Sequence, residues 1–258
     1  MMTKTITDVI CPFCGTLCDD LTITTDDEGK KILDVENACA IGAEKFLHAS
    51  DHEHRKTRPR RLQEDGTFKD ITYDEAIEYT AQMLAAAKKP SMYGWSSTSC
   101  EAQSVGHEIA ELCGALVDNT AAVCHGTTLV AVQNVGIPSC TLGEVKNRAD
   151  RIIFWGCNPA HAHPRHMSRY SIFPRGYFTG KGQKQRKIIV VDPRPTDTAS
   201  IADVHLQVEQ GYDYELLQAL RAAVRGQEIS GDIVAGVPKE KVYEAAEMLK
   251  SGQFGVIF

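Results

Sequence analysis

Arg151-Ile152-Ile153-Phe154-Trp155 runs straight into Gly156-Cys157-Asn158-Pro159. Four of the first five, Ile152 to Trp155, are apolar without alternation, the pattern of a strand buried on both faces. Gly156 and Pro159 then break it. Lys187-Ile188-Ile189-Val190-Val191 repeats the form and ends in Asp192-Pro193-Arg194-Pro195-Thr196-Asp197. Asp203 to Val208 reads as a third strand, and residues 214–225 and 239–250 carry helical periodicity. Strands alternating with helices predict an α/β fold with a parallel sheet, whose ligands gather at the C-terminal ends of the strands. Asp192, at such an end, is placed to bind a ribose or a guanine edge. The arginine and hydroxyls beside it suit phosphate. Gly255-Val256-Ile257-Phe258 reads as the opening of another buried strand, so a further C-terminal part is expected beyond Phe258.

The loop after the first strand holds His161, His163 and His166. H-x-H-x2-H suits zinc or iron. With Pro164 and arginines interleaved, loop histidines that touch a ligand or solvent fit better than a separate metal site. No G-x-G-x-x-G or Walker pattern occurs, so the phosphate loops are not of those kinds.

Upstream lies a second α/β run. Tyr73 to Lys89 places Ala76, Ile77, Ala81, Leu84 and Ala85 at helical spacing, with Thr72 or Asp74 as N-cap and Pro90 as the stop. Ser91-Met92-Tyr93-Gly94-Trp95 reads as a short strand, and residues 101–113 as a helix. Residues 49–72 are polar, with a basic run from Asp51 to Arg61. A solvated linker fits that stretch better than a phosphate-facing patch.

Val123-Cys124-His125-Gly126-Thr127 opens an apolar segment with no proline before Pro138, and predicts a helix starting at or just after Cys124. A cysteine at a helix N-terminus is biased toward thiolate, the form that binds metals or attacks electrophiles. His125 beside it is suited to moving a proton. A buried inert cysteine next to a capping histidine would read the same way.

Near the N-terminus, Cys11-Pro12-Phe13-Cys14-Gly15-Thr16-Leu17-Cys18 gives C-x2-C-x3-C, and Cys39 follows. Leu21 to Thr25 and Lys31 to Val35 read as two strands joined by the turn Asp26-Asp27-Glu28-Gly29-Lys30. That hairpin returns Cys39 to the first three cysteines. Four converging thiols suit an iron–sulfur cluster or structural zinc. The close trio with one distant cysteine fits a [4Fe–4S] cube better than two zinc-ribbon pairs.

The whole chain sets limits on these readings. Nine cysteines, four of them within the first 39 of 258 residues, point in a reducing compartment to metal ligation rather than disulfides. A net charge of −6 argues against broad nucleic-acid binding. No run of about 18 apolar residues exists, so no membrane span is expected. The N-terminus lacks an apolar signal core, which places the protein in the cytoplasm.

Taken together, these motifs resemble the molybdopterin oxidoreductase superfamily of formate dehydrogenases and relatives, and within it most closely the B subunits of formylmethanofuran dehydrogenases. The marks are Cys11 to Asp20, Tyr93-Gly94-Trp95-Ser96, Val123 to Gly126, Trp155 to His166 and Val191-Asp192-Pro193-Arg194. The resemblance implies a small [4Fe–4S] cluster domain (1–55), the first part of a discontinuous α/β domain (56–122) and a Rossmann-like, α/β pterin-binding domain (123–258). Cys11, Cys14, Cys18 and Cys39 would ligate the cluster. Cys124 would ligate tungsten or molybdenum held also by two pyranopterin guanine dinucleotides, with His125 as the acid–base group. Gly156, Asn158 and the loop to His163 would line one dinucleotide, and Asp192, Arg194 and Asp213 its nucleotide end. Relatives often carry a lysine two residues after the fourth cluster cysteine. Here Ile41 stands there, and Lys45 is the nearest replacement.

The implied activity is reversible CO2 reduction to formate for formylation of methanofuran in methanogenesis. The implied partners are an amidohydrolase-like A subunit, a C subunit, a D subunit completing the pterin site, and polyferredoxin-type electron carriers. A stand-alone formate dehydrogenase and a non-redox scaffold of a formyltransferase/hydrolase complex are the competing readings. Retention of all four N-terminal cysteines and Cys124 favours a redox role.

Overall fold

In the computed structural model, which describes residues 2–50 and 55–258, the chain starts as a three-stranded antiparallel meander. It comprises β1 (Thr3–Val9), β2 (Leu21–Asp26) and β3 (Ile32–Glu36), in the order β1-β2-β3. The predicted hairpin is β2–β3. Its turn is fastened by the Lys30 amide, which donates to Asp26 Oδ1 at 2.7 Å. β1 is exposed along nearly its whole length, so no apolar alternation announces it. Helix α1 (Ala40–Leu47) follows, with Cys39 as its N-cap.

Residues 51–139 form one of two compact units. The polar stretch expected to be a linker contains a small hairpin of β4 (Arg60–Leu62) and β5 (Phe68–Asp70). The start of its basic run, residues 51–54, lies outside the described residues. Helix α2 (Tyr73–Ala86) starts on a capping box: Glu75 N donates to Thr72 Oγ1, and Thr72 N to Glu75 Oε2. β6 (Ser91–Gly94), α3 (Cys100–Cys113) and β7 (Leu116–Asn119) make a parallel βαβ unit. Gly114 closes α3 in the left-handed conformation, φ +65°. Two helices end this unit, α4 (Thr120–Cys124) and α5 (Gly126–Val135).

The other unit joins residues 1–50 to residues 140–258. Its second part holds α6 (Leu142–Arg148), β8 (Arg151–Trp155), α7 (Pro159–Ala162), β9 (Lys187–Val191) and β10 (Val204–Leu206). It continues with α8 (Asp213–Val224), the short pair β11 (Ile233–Val234) and β12 (Val237–Pro238), α9 (Lys239–Lys250) and β13 (Gly255–Ile257). The main sheet has the order β10-β9-β8-β13 with every pairing parallel. Asp150 fastens β13 into place by accepting from the amides of Gln253 and Phe254.

Both faces of this sheet are covered, which is why its strands read as continuous apolar runs. Ile153, Ile189, Val191 and Leu206 pack against Leu216 and Leu220 of α8 and Val242 and Ala245 of α9. Ile152, Phe154, Ile188 and Val190 pack on the opposite side with Val145, Ala149 and Ile172. Burying each such side chain is worth roughly 1.5–3 kcal/mol, more than intrinsic strand propensity supplies. In chain order the strands run third, second, first, fourth across the sheet, so the crevice of a doubly wound fold falls beyond the C-terminal ends of β8 and β13. Among the described residues no helix is long and apolar enough to cross a membrane.

Candidate functional site

Cys11, Cys14, Cys18 and Cys39 line a single cavity, together with Thr16, Leu21, Ala38, Pro164 and Arg165. The loop closes on itself, the Cys11 amide donating to the Cys18 carbonyl at 2.7 Å. Cys39 Sγ accepts from the Gly42 amide at 3.4 Å. A Cβ on Gly42 would sit 3.7 Å from both Cys11 Sγ and Cys39 Sγ, so the bare glycine leaves room between those sulfurs. Burial pushes the Cys18 thiol up from its ordinary value, against the opposing pull of Arg165 and Arg169.

Among the described residues, no group of three His, Cys, Asp or Glu side chains is arranged to hold one metal ion. A polynuclear iron–sulfur group fits this donor set. One further sign points into the cradle: Thr16 is buried and its hydroxyl has no hydrogen-bond partner.

The cradle is clamped to the loop after β8. Arg165 donates from both terminal nitrogens to Asp20, and also to the Asn37 carbonyl. Arg169, one turn on, pairs with Asp19 and Asp20. Motif reading misses these arginines. Their one signal in the sequence is the i, i+4 spacing of two cations that match Asp19-Asp20. His163 reaches the same junction: a Cβ on Gly15 would lie 3.7 Å from its Nε2. Lys45 is exposed and stacks its Nζ 5.5 Å from the Phe13 ring centre, outside the cavity.

The strand ends carry the other residues. Gly156 follows β8 at φ +60°, with open space where a Cβ would stand. That conformation favours glycine, and the open space lets a ligand approach the backbone. Asn158 is held by Thr198, whose hydroxyl donates to Asn158 Oδ1 at 2.6 Å while accepting from Ala160 N at 3.2 Å. Asp213 accepts from Trp155 Nε1 at 2.8 Å, joining the end of β8 to the start of α8. Asp192 is buried and accepts from the Arg194 amide at 2.8 Å, leaving the Arg194 guanidinium exposed. Arg194 lines an open groove of about 880 Å³ with Gln207, Glu209 and Lys241. Cys157 packs against the core, and burial raises its thiol above the ordinary value, as suits a structural cysteine.

The three loop histidines separate in role. His161 is exposed and His163 half-buried. His166 is buried against Phe154 and Phe258, bonded to Ser171 Oγ at 3.1 Å, and burial followed by His163 lowers it to about 4. It is a neutral core residue.

In the unit spanning 51–139, Cys124 is exposed. A helix starts just after it, as expected: α5 opens at Gly126 with His125 as its N-cap, while Cys124 itself is the last residue of the short α4. The N-terminal, positive end of α5 therefore falls next to Cys124, with His125 between them. An apolar groove of about 890 Å³ between α2 and α3, lined by Ile77, Leu84, Ile109 and Leu112, includes none of the candidate residues.

A family model described as molybdopterin oxidoreductase matches residues 55–232. The chain belongs to this family. Its membership accounts for a mixed α/β fold with a parallel sheet and for an expected pterin–metal cofactor. The B subunit of tungsten-containing formylmethanofuran dehydrogenase 2 from Methanocaldococcus jannaschii is 55% identical over 258 residues, covering 100% of this chain and 59% of that protein. The chain thus spans less than two thirds of that relative's length. Among solved structures, the formyltransferase/hydrolase complex FhcABCD from Methylorubrum extorquens with methylofuran matches at TM-score 0.51 and 25% identity, covering 71% of this chain and 48% of the other. Acetylene hydratase from Pelobacter acetylenicus matches at TM-score 0.60 and 16% identity, covering 96% and 39%, a likeness of fold.

Proposed function

We propose that the chain is part of the redox B subunit of a tungsten- or molybdenum-dependent formylmethanofuran dehydrogenase, which reduces CO2 reversibly to formate. The observation that carries this reading is 55% identity to such a subunit over every residue of the chain. The four-cysteine cradle supports it, because four thiols lining one cavity suit a [4Fe–4S] group.

When bound, a tungsten or molybdenum ion with two pyranopterin guanine dinucleotides supplies two-electron exchange at the substrate carbon. Cys124 Sγ would be the protein ligand, deprotonated on coordination. His125, next in sequence, would hold or pass on a proton at its ring nitrogen. Gly156 and Asn158 would admit one dinucleotide to the strand end, with His163 beside it. Asp192, Arg194 and Asp213 would orient its nucleotide. Cys11, Cys14, Cys18 and Cys39 would hold the cluster that accepts and delivers single electrons. Lys45 would be the outlying candidate for a relay. Formyl transfer to methanofuran would fall to the A subunit, with C and D subunits and a polyferredoxin-type carrier completing a cytoplasmic complex.

A scaffold role is the second reading, favoured by the likeness to FhcABCD. Replacing Cys124 with alanine in the purified complex separates the two. Loss of CO2 reduction with assembly intact supports the redox subunit, whereas unchanged activity removes Cys124 from the site.

A further inference from the structure

Two buried side-chain nitrogen or oxygen atoms among the described residues have no hydrogen-bond partner, and one is Thr16 Oγ1. Thr16 is 1% exposed and lies between Cys14 and Cys18 on the wall of the four-sulfur cavity. An unpaired buried hydroxyl costs on the order of 1–3 kcal/mol. Nothing in the packing requires a hydroxyl here, because valine has the same shape without the cost. A hydroxyl kept in this position points to an acceptor that the cavity contents supply, and the surrounding donors specify sulfur.

We infer that Thr16 is a positioning residue that donates an O–H···S hydrogen bond to a sulfur of the group held by the four cysteines. The inference rests on the iron–sulfur reading above and adds a role that the cysteine spacing does not contain. A donor aimed at a cluster sulfur stabilises the reduced, more negative state more than the oxidised one. The couple is a one-electron reduction, in which an external low-potential reductant such as titanium(III) citrate gives one electron and no proton moves. Thr16 therefore raises the potential of that couple. Arg165, on the same cavity wall, acts in the same direction through charge but is already occupied by Asp20.

The test is an anaerobic redox titration of the full-length chain, followed by electron paramagnetic resonance, with iron and sulfide content measured alongside. Thr16→Val and Thr16→Ala are expected to keep the iron and shift the midpoint to more negative potential. Thr16→Ser, which retains the hydroxyl, is expected to restore it. A cluster present in both hydroxyl-free variants with an unshifted midpoint overturns the role of Thr16 alone. Iron and sulfide absent from the wild-type chain overturns the cluster reading and this inference with it. If Thr16→Val loses iron, Thr16→Ala decides, and loss of iron in both while Thr16→Ser stays loaded supports the hydrogen bond.

Discussion

Arg165 grips Asp20 with two parallel hydrogen bonds, Nη1 to Oδ1 at 2.7 Å and Nη2 to Oδ2 at 2.6 Å, across 145 positions of sequence. The pair fastens the loop bearing Cys18 to the loop that leaves β8. Both partners are only partly exposed, so this bidentate pair is worth more than an ordinary surface contact, about 1–2 kcal/mol.

Asp20→Asn is therefore expected to lower stability by about that amount, read by thermal unfolding. The hydrogen bond from Arg165 holds the Asp20 carboxyl below the usual carboxylate range. A depressed folded-state value means that the stabilisation is present above the unfolded value and is lost as pH falls through the folded one. The wild-type chain should lose more stability than Asp20→Asn below about pH 4. Parallel curves for the two proteins would contradict this role.

His166 has the opposite chemistry and the same sign. Its folded-state value is about 4, against 6.5 for the free side chain. Between those values the unfolded chain takes up a proton that the folded chain refuses, so stability falls as pH drops from 6.5 toward 4. The loss is on the order of 2–3 kcal/mol. His166→Gln, which can still reach Ser171, should flatten the unfolding profile over that window.

The hydroxyl of Thr198 holds Asn158 at the strand end. Thr198→Val should cost about 1–2 kcal/mol and release the Asn158 amide. Pterin content, measured by fluorescence after oxidation, should fall more than iron content. Equal retention of both would separate Asn158 from the pterin site.

Gly106 lies under the Trp95 ring, whose nearest atom would stand 2.0 Å from an added Cβ. Gly106→Ala should destabilise the unit by about 1–3 kcal/mol, and adding Trp95→Leu should recover most of it. Denaturant unfolding of the single and double variants reads this directly.

The parallel strands are legible in the sequence because burial on both faces leaves an unmistakable apolar run, as in Ile152 to Trp155 and Ile188 to Val191. The final strand, Gly255–Ile257, pairs with β8 as its apolar opening suggests. β1 and the Arg60–Asp70 hairpin are hidden because their side chains face solvent. β7 and α6 are too short to show a period. The helix start after Cys124 is legible, whereas the short α4 before it is not, since five residues show no period. The cysteines and Gly156 announce themselves by type and spacing. Thr198, Arg165 and the Trp155–Asp213 bond do not, because their partners lie 40, 145 and 58 positions away.

Cys124 carries the proposed chemistry, and X-ray absorption at the tungsten and molybdenum edges probes it most directly. The native complex should show one of these metals in a sulfur-rich environment, and Cys124→Ala should show the same metal with one sulfur fewer. Zinc as the sole heavy metal, or an identical spectrum in the variant, would contradict the account.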